Sequence, residues 1–557
     1  MTEECNPGVK VAPSSELLGR VRAWIAADPD RVTRDELKEL IACNDGLAMA
    51  ERFDETLRFG TAGLRGSLGA GPNRMNRVVV AQASAGLASY LLSATDVRPR
   101  VIVGCDARTN SSVFADDAAA VLAGAGCEVI ALPPELPTPV LAFAVRHLEA
   151  DAGVMITASH NPAGDNGYKV YLGGDSAGAQ IVSPIDTDIE ERIRAAASTP
   201  FGQMPRGDFT RAGREIVTAY AVATAAAVGP RWATGAPTPV ESEEALRVVY
   251  TPMHGVGLTT LHAVLSASGY ALPDVVAEQA APDPEFPSVA YPNPEENGAL
   301  DLAFALASRE GADLVLANDP DADRLAVAVP EGATYRTLTG DELGVLLGWW
   351  AAARAAAAGR TGCLATTVVS APALENIAAH FGLSCQRTLS GFKWIGRVPE
   401  LIYGYEEALG YLVNPETLRD KDGISAALAV LQIAHELRER GSSIAEKVAE
   451  LASEFGGVYG ISFSVRERSA ADLRARMNVL REHPAHSLAG SEIARVDDYR
   501  EGLGTLPPTN LLAWHLANGA RVMIRPSGTE PKLKFYVHAH SRDEAATIVA
   551  AVKSLVE

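Results

Sequence analysis

Cysteine is scarce in this chain of 557 residues: there are six, at positions 5, 43, 105, 127, 363 and 385, with no CxxC pair and no metal-ligand spacing. That argues against a disulfide framework or a structural zinc site and reads as buried thiols in a reducing compartment. Positive charge is also short, with 49 Lys and Arg against 69 Asp and Glu, a formal net charge of −20. Nucleic-acid phosphates would be repelled unless a basic stripe existed, and the sequence has none. Long apolar runs are missing too. The most apolar stretch, Val345 to Ala358, is cut by Arg354 and falls short of the ~20 residues of a membrane span. The opening Met1-Thr2-Glu3-Glu4 lacks a basic patch followed by an apolar core, so no export signal is expected and the expected location is cytoplasmic. What remains is a large enzyme-sized chain with room for three to five domains, taking ~100–200 residues per domain. An anionic substrate would be drawn to so acidic a protein only by a local positive pocket.

Three short constellations carry chemistry. Thr157-Ala158-Ser159-His160-Asn161-Pro162 follows the apolar run Ala152 to Ile156, which reads as a buried strand delivering a polar loop to the rim of a sheet. A hydroxyl beside an imidazole there can react, although the pair alone also fits a solvated loop with a turn at Asn161-Pro162. Asp319-Pro320-Asp321-Ala322-Asp323-Arg324 follows the apolar run Leu314 to Ala317. In an extended segment Asp319, Asp321 and Asp323 share one face, and three carboxylates that close require a cation between them. Hard oxygen ligands suit Mg2+, which keeps positions for water or phosphate oxygens. A calcium loop needs glycine sixth and glutamate twelfth, where this chain has Arg324 and Pro330; an acidic turn without a ligand is the plainer alternative. Arg525-Pro526-Ser527-Gly528-Thr529 supplies a guanidinium, two hydroxyls and exposed glycine backbone, the parts of a phosphate cradle or of an ordinary turn. Together the three are the components of phosphoryl transfer through a serine assisted by a divalent cation.

The rhythm of elements is that of an α/β protein. Leu17, Leu18, Val21, Trp24 and Ile25 share a helical face in an N-terminal extension suited to packing or dimer contact, and Thr33 with Glu36 predicts a capping box before Leu37. Val101-Ile102-Val103 and Val129-Ile130-Ala131-Leu132 bracket a helix around Ala118 to Ala125, and the polar loop Asp106 to Ser111 between them could face the cleft, although a plain strand-to-helix cap is the simpler reading. The rhythm restarts near Arg247 and again near Leu364. Beyond Gly456-Gly457 the alternation of Ile461, Phe463 and Val465, and a closing helix from Asp543 to Val556, predict a smaller α+β unit. The expected domains are 1–205 with the serine loop, 206–337 with the aspartate loop, 338–456, and 457–557 with the Arg525 loop.

The same motifs, with Phe59-Gly60-Thr61-Ala62-Gly63-Leu64-Arg65-Gly66 and Gly404-Tyr405-Glu406-Glu407-Ala408-Leu409-Gly410-Tyr411, resemble the α-D-phosphohexomutases over nearly the whole chain. Thr251-Pro252-Met253-His254-Gly255 and Gly391-Phe392-Lys393-Trp394 look most like the branch that also holds phosphopentomutase and glucose-1,6-bisphosphate synthase. The resemblance implies three similar α/β domains with mixed sheets and a smaller C-terminal α+β domain around a central cleft. It implies that Ser159 is phosphorylated, with a phosphate oxygen on it completing the shell of one Mg2+ held by Asp319, Asp321 and Asp323. It further implies that Glu406 holds sugar hydroxyls, that Arg525, Ser527, Gly528 and Thr529 hold the phosphate not being transferred, that Arg65 and Lys169 lie near the phosphoserine, and that Lys421 faces the sugar.

For the proton, His160 is the first choice from the residues; Lys169, Arg65 and Lys421 are alternatives as acid, base or charge stabiliser. Arg324 is read as a phosphate contact. Where family members often carry serine two positions after the sugar-binding glutamate, this chain has Ala408, which puts the usual sugar contacts in question. The expected activity interconverts the 1- and 6-phosphates of glucose or mannose through a sugar bisphosphate such as glucose 1,6-bisphosphate. Phosphopentomutase or bisphosphate synthase activity is the alternative, and a phosphatase or a non-catalytic sugar-phosphate sensor stands behind those. The expected partner is a small phosphosugar, with no nucleic acid or membrane, and the chain is expected as a monomer or homodimer.

Overall fold

The computed structural model describes residues 11–58, 63–229, 246–504, 506–527 and 532–556. Four sheets follow one another along the chain. The first is built on three parallel strands, Ala152–Ile156, Arg100–Cys105 and Glu128–Ala131. Asp165–Leu172 then runs back antiparallel beside Ala152–Ile156, and Leu64–Ser67 pairs with it at the edge. Strand Ala152–Ile156 is buried along its whole length, as expected of an apolar run sandwiched between helices in a largely parallel sheet. Thr210–Arg211 closes the far edge of this sheet beside Glu128–Ala131, so the first sheet takes in residues beyond 205.

The second and third sheets repeat the pattern. Leu314–Asn318 lies parallel to Val248–Thr251 and antiparallel to Leu325–Glu331. Leu401–Glu406 lies parallel to Cys363–Thr367 and antiparallel to Gly410–Leu412. All three sheets are mixed, and in each a parallel strand turns through a tight connection into an antiparallel neighbour. Those connections are residues 157–164, 319–324 and 407–409. They therefore occupy structurally equivalent places in the three sheets.

The fourth sheet is antiparallel, in the order Tyr459–Arg466, Lys532–Ala539, Arg521–Pro526, Leu512–Leu516, Ser491–Asp498, Ser487–Leu488. It is backed by helices Ala470–Glu482 and Arg542–Val556. Its core, with Trp514, Phe535 and Val552, is its own, whereas one continuous core runs from Ile102 and Val140 of the first unit through Leu316 to Leu428 of the third. The first three units thus form one body, and the fourth docks on it through a small apolar cluster, Val368 and Val369 against Tyr499, Met523 and Tyr536, and through polar contacts. Arg521 Nη2 donates to the Ser370 carbonyl, His538 Nε2 lies 3.0 Å from Asp341 Oδ2, and Arg542 Nη2 lies 2.6 Å from Glu342 Oε1.

Two local expectations are corrected. Helix Arg31–Ala42 is capped by Asp30, whose side chain accepts from Val32 N, and Thr33 sits inside the first turn, donating to Asp28 Oδ2 at 2.7 Å. Glu36 reaches away from the helix to Arg52 and the Ala70 amide, so a long-range partner has claimed the acid that a capping box would use. Cys105, Cys127, Cys363 and Cys385 are free, but Cys43 is disulfide-bonded, against the reading of thiols throughout. Such a pairing needs close approach that only the fold creates. Among the described residues no helix is long and apolar enough to cross a membrane.

Close backbone contact sets the third unit's helix against its motif. Helix Gly340–Ala357 opens with a capping box from Thr339 and Glu342, and a Cβ on Gly340 would lie 1.8 Å from the Glu407 carbonyl oxygen. Neither the capped helix start nor the strand turn can yield freely. Gly340→Ala is expected to destabilise the protein by about 1–3 kcal/mol, the usual cost of overpacking. A thermal melt checks this, and an unchanged midpoint would show that the junction is loose.

Candidate active site

The three connections meet. Ser159 leaves strand Ala152–Ile156 in the left-handed region, φ +56°, with its amide bonded to Thr157 Oγ1 at 2.9 Å. That conformation is costly for a residue with a Cβ and points to a functional constraint. Its hydroxyl donates to Asp319 Oδ2 at 3.0 Å and lies 3.2 Å from His160 Nδ1. Ser159 is buried, as are all three aspartates.

The aspartates converge, with ligand oxygens within 4.8 Å of one another, but not by strand alternation. Residues 319–323 form a turn in which Ala322 takes φ +53°. The turn is fixed by the Arg324 amide donating to Asp319 Oδ1 at 3.1 Å and by packing of the Arg324 carbonyl on Gly423, where a Cβ would lie 2.2 Å away. Thr138 Oγ1 holds Asp321 Oδ2 at 2.6 Å.

Charge balance at this junction is supplied from outside the turn. Lys169 Nζ contacts Asp321 Oδ2 at 2.7 Å and Asp323 Oδ2 at 2.8 Å, and Lys421 Nζ contacts Asp323 Oδ2 at 2.8 Å. Burial, then repulsion from Asp321 and Asp323, lifts the Asp319 carboxyl well above the usual range. Burial also works against the ionised forms of Asp321 and Asp323, but Lys169 and Lys421 outweigh it and hold both below the usual range. Burial alone would lower Lys169 and Lys421, yet the aspartates raise both, so neither lysine approaches the neutral amine that a base would need. Burial, followed by Arg324 and Arg65, pushes the His160 imidazole well below its ordinary value, and it is neutral at pH 7.

The donor set fits a divalent cation. Asp321 Oδ1 and Asp323 Oδ1 are buried without a hydrogen-bond partner, which leaves carboxylate oxygens uncommitted in a cluster where each such group would otherwise cost free energy.

Around this centre Arg65 Nη1 bonds Asn161 Oδ1 at 2.9 Å. Arg324 lies 3.9 Å from Asp319, 4.0 Å from Asp323 and 3.7 Å from Glu295. Burial pushes the Glu406 carboxyl up to about 7 despite Lys421 nearby. Glu407, beside it, accepts from Thr367 and Ser370 at 3.0 and 2.8 Å. A cavity of about 280 Å3 opens next to this loop, lined by Glu295, Asp341, Glu407, Tyr536 and His538. From the fourth unit Arg525 sits opposite Lys534 in the strand register, and burial followed by Arg525 lowers the Lys534 ammonium. Ser527 donates its amide to the Lys532 carbonyl at 2.8 Å; Gly528, Thr529 and the segment 59–62 lie outside the described residues.

Sequence reasoning missed several neighbours. Arg108 falls in a loop read more readily as a plain helix cap than as a cleft-facing segment, but the helix start at Asn110 has no side-chain cap and Arg108 turns into the serine loop. Thr138 and Glu295 carry no local signal. Lys534 could have been found from the alternation of Lys532, Leu533, Lys534 and Phe535 directly after the Arg525 loop.

Four family models match in order: phosphoglucomutase/phosphomannomutase alpha/beta/alpha domain I at residues 56–200, domain II at 234–332, domain III at 339–455, and the C-terminal domain at 472–555. The chain is 44% identical over 473 residues to a probable phosphomannomutase of Haemophilus influenzae, covering 84% of this chain and 94% of that one. It is 33% identical over 570 residues to human phosphopentomutase, covering 92% and 90%. A solved structure from Thermus thermophilus, provisionally assigned as a phosphomannomutase, shares the fold with a TM-score of 0.70 at 24% identity, covering 90% and 99%.

The cluster makes a prediction independent of turnover. Mg2+ at a hundred times its dissociation constant is expected to stabilise the protein by about 2.7 kcal/mol. Asp321→Asn should abolish that gain in thermal melts; an equal gain in the variant would place the cation elsewhere.

Proposed function

The chain belongs to the phosphoglucomutase/phosphomannomutase family, whose members are isomerases that interconvert sugar phosphates, and from that premise we propose that it moves phosphate between O1 and O6 of glucose or mannose through phosphorylated Ser159. The observation that carries this reading is the buried contact of the Ser159 hydroxyl with Asp319 at 3.0 Å, at the meeting point of the three motif connections. A hexose reading is supported by the relative at 44% identity.

In this mechanism the bond from the serine oxygen to phosphorus breaks as one from the free sugar hydroxyl forms. The sugar hydroxyl's proton is handed over as the serine oxygen becomes a free hydroxyl. When the opposite phosphate is taken back, the serine gives up its proton, the departing sugar oxygen gains one, and the serine ends the cycle phosphorylated again. Asp319, Asp321 and Asp323 would hold one Mg2+ per chain, which draws negative charge from the transferring phosphoryl group and from the serine oxygen. Lys169 and Lys421, both charged, keep Asp321 and Asp323 ionised, and Arg324 and Arg65 add positive charge beside the serine. In the resting geometry the serine proton is directed at Asp319 Oδ2, and neutral His160 is the second acceptor within reach. Glu406 and Lys421 would orient sugar hydroxyls. Arg525, Ser527, Gly528 and Thr529 would grip the distal phosphate, with Lys534 beside Arg525. Because the fourth unit has its own core and is joined at Gly456 and Gly457, both at positive φ, it can swing while a bisphosphate turns over in the cleft. A cytoplasmic monomer or homodimer is consistent with this reading.

Ala408, half-buried on the sugar loop, removes a hydroxyl that could select among sugars. The expected order of kcat/KM therefore puts the 1-phosphates of glucose and mannose close together and ribose 1-phosphate below both, in a coupled assay with Mg2+ and a trace of the matching bisphosphate. Ribose 1-phosphate as the best substrate would shift the assignment to a phosphopentomutase. Ser159→Ala is expected to lose at least about 10³-fold in kcat, in keeping with removal of a covalent nucleophile.

Glu406 gives a pH signature. As pH falls through about 7 the carboxylate takes up a proton and loses acceptor capacity, so KM should rise toward acid. Glu406→Gln should flatten that limb while leaving the limb due to substrate phosphate; a pH profile of KM that is the same in both proteins would remove Glu406 from the sugar site.

A further inference from the structure

The backbone oxygens of the serine loop gather on one side chain. Arg108 Nη2 donates to the carbonyls of Ser159 at 2.6 Å and Asn161 at 2.5 Å, and Nη1 to those of Pro162 at 2.7 Å and Asp165 at 3.2 Å. Arg108 is 4% exposed. Its Nε faces Asp106 Oδ2 at 3.4 Å, and Asp106 is itself held by Ser111 Oγ at 2.6 Å and by the Arg108 amide at 3.0 Å. From the second unit, the ring of Phe286 lies 5.0 Å from the guanidinium carbon.

We propose that Arg108 is a positioning residue for phosphoryl transfer at Ser159, holding the serine in its left-handed conformation and turning four carbonyl dipoles of the loop away from the phosphoryl group. This rests on Ser159 being the phosphoryl carrier. A non-glycine residue in that region costs about 1–3 kcal/mol and persists only when its surroundings over-determine it. Here the over-determination is visible: the carbonyl of Ser159 and three others in the same short loop are all fixed from one point. Left free, any of them could rotate its partial negative charge toward the anionic group arriving at the serine oxygen. A planar guanidinium, with its donors in a rigid fork, reaches four spread acceptors at once while its charge lies beside the Asp106 carboxylate; an ammonium has three donors on one atom. Both Nη atoms are committed to the loop, so Arg108 acts through Ser159 and not on the sugar. Its removal should therefore lower kcat and leave KM alone. The stack on Phe286 ties the serine loop to the aspartate-bearing unit, so the two move together.

The test uses the full-length protein with Mg2+, measuring steady-state turnover of glucose 1-phosphate and the rapid-quench rate at which Ser159 is phosphorylated by glucose 1,6-bisphosphate. Arg108→Lys is expected to lower both kcat and the phosphorylation rate roughly 10²-fold, the scale of a misplaced reacting atom, with KM within about threefold, below half a tenfold step in binding. Methylguanidinium should restore part of the lost rate in Arg108→Ala and none in Ser159→Ala. Phe286→Leu, which keeps the polar contacts, should retain kcat within about threefold, on the scale of a cation–π contact. Unchanged phosphorylation in Arg108→Lys, a rise in KM as large as the fall in kcat, absence of rescue, or loss of the folded state in Arg108→Lys would each overturn the proposal. Failure of the wild-type protein to phosphorylate Ser159 would instead sink the functional reading on which it stands.

Discussion

The structure is organised by the electrostatic cost of burying three carboxylates within 4.8 Å of one another. Unbalanced, such a cluster would not survive, because each ion loses its hydration and repels the other two. The balance comes from separate parts of the chain: Lys169 on the antiparallel strand of the first sheet, Arg324 at the end of the aspartate turn, and Lys421 ahead of helix Gly423–Glu439 in the third unit. The neutralising contacts are therefore also the contacts that close the three α/β units around the serine. Stability and site geometry therefore depend on the same ion pairs, beside a continuous hydrophobic core that spans these three units while the fourth keeps a core of its own.

Much of this was legible in the sequence because the signals were local. An apolar run ending in a polar loop marked Ala152–Ile156 and Ser159, and another marked Leu314–Asn318 and the aspartates; both strands are buried throughout and both loops lie at the rim. The closing helix and the alternating strand of the fourth unit were readable for the same reason. The resemblance of several ordered motifs gave the family outright. What escaped were features fixed by distant partners. The aspartates gather in a turn whose shape depends on Ala322 at φ +53° and on Gly423, about a hundred residues away, and spacing could suggest only an extended segment. Glu36 satisfied the pattern of a capping box but pairs with Arg52 and Ala70, leaving the cap to Asp30. Arg108 lies in a loop that looks like any helix start until the fold brings residues 159–165 around it.

The fourth unit follows a different logic. Its attachment combines a small apolar cluster, Val368 and Val369 against Tyr499, Met523 and Tyr536, with buried polar groups: Arg521 sits on the Ser370 carbonyl and His538 on Asp341, and Asp341 in turn holds the Ala371 amide and the Tyr405 hydroxyl. Burial lowers both the His538 imidazole and the Arg521 guanidinium, the latter to about 9. The polar contacts have strict geometry, and the apolar cluster beside them is small compared with the core of either body. In the function proposed above, a grip on one phosphate has to release and recapture a turning intermediate, a task suited to an interface of this mixed kind, and Ala408 would leave the sugar with fewer side-chain donors.

The central claim is that Ser159 stores the phosphoryl group between half-reactions, and the most direct measurement is peptide mass spectrometry of the protein after exposure to a sugar bisphosphate and then to excess sugar monophosphate. The account predicts one phosphate on the peptide containing Ser159, formed in the first step and exchanged in the second, with the cation required for both. Turnover accompanied by no modification of that peptide, or by a phosphate that stays in place while product accumulates, would contradict it.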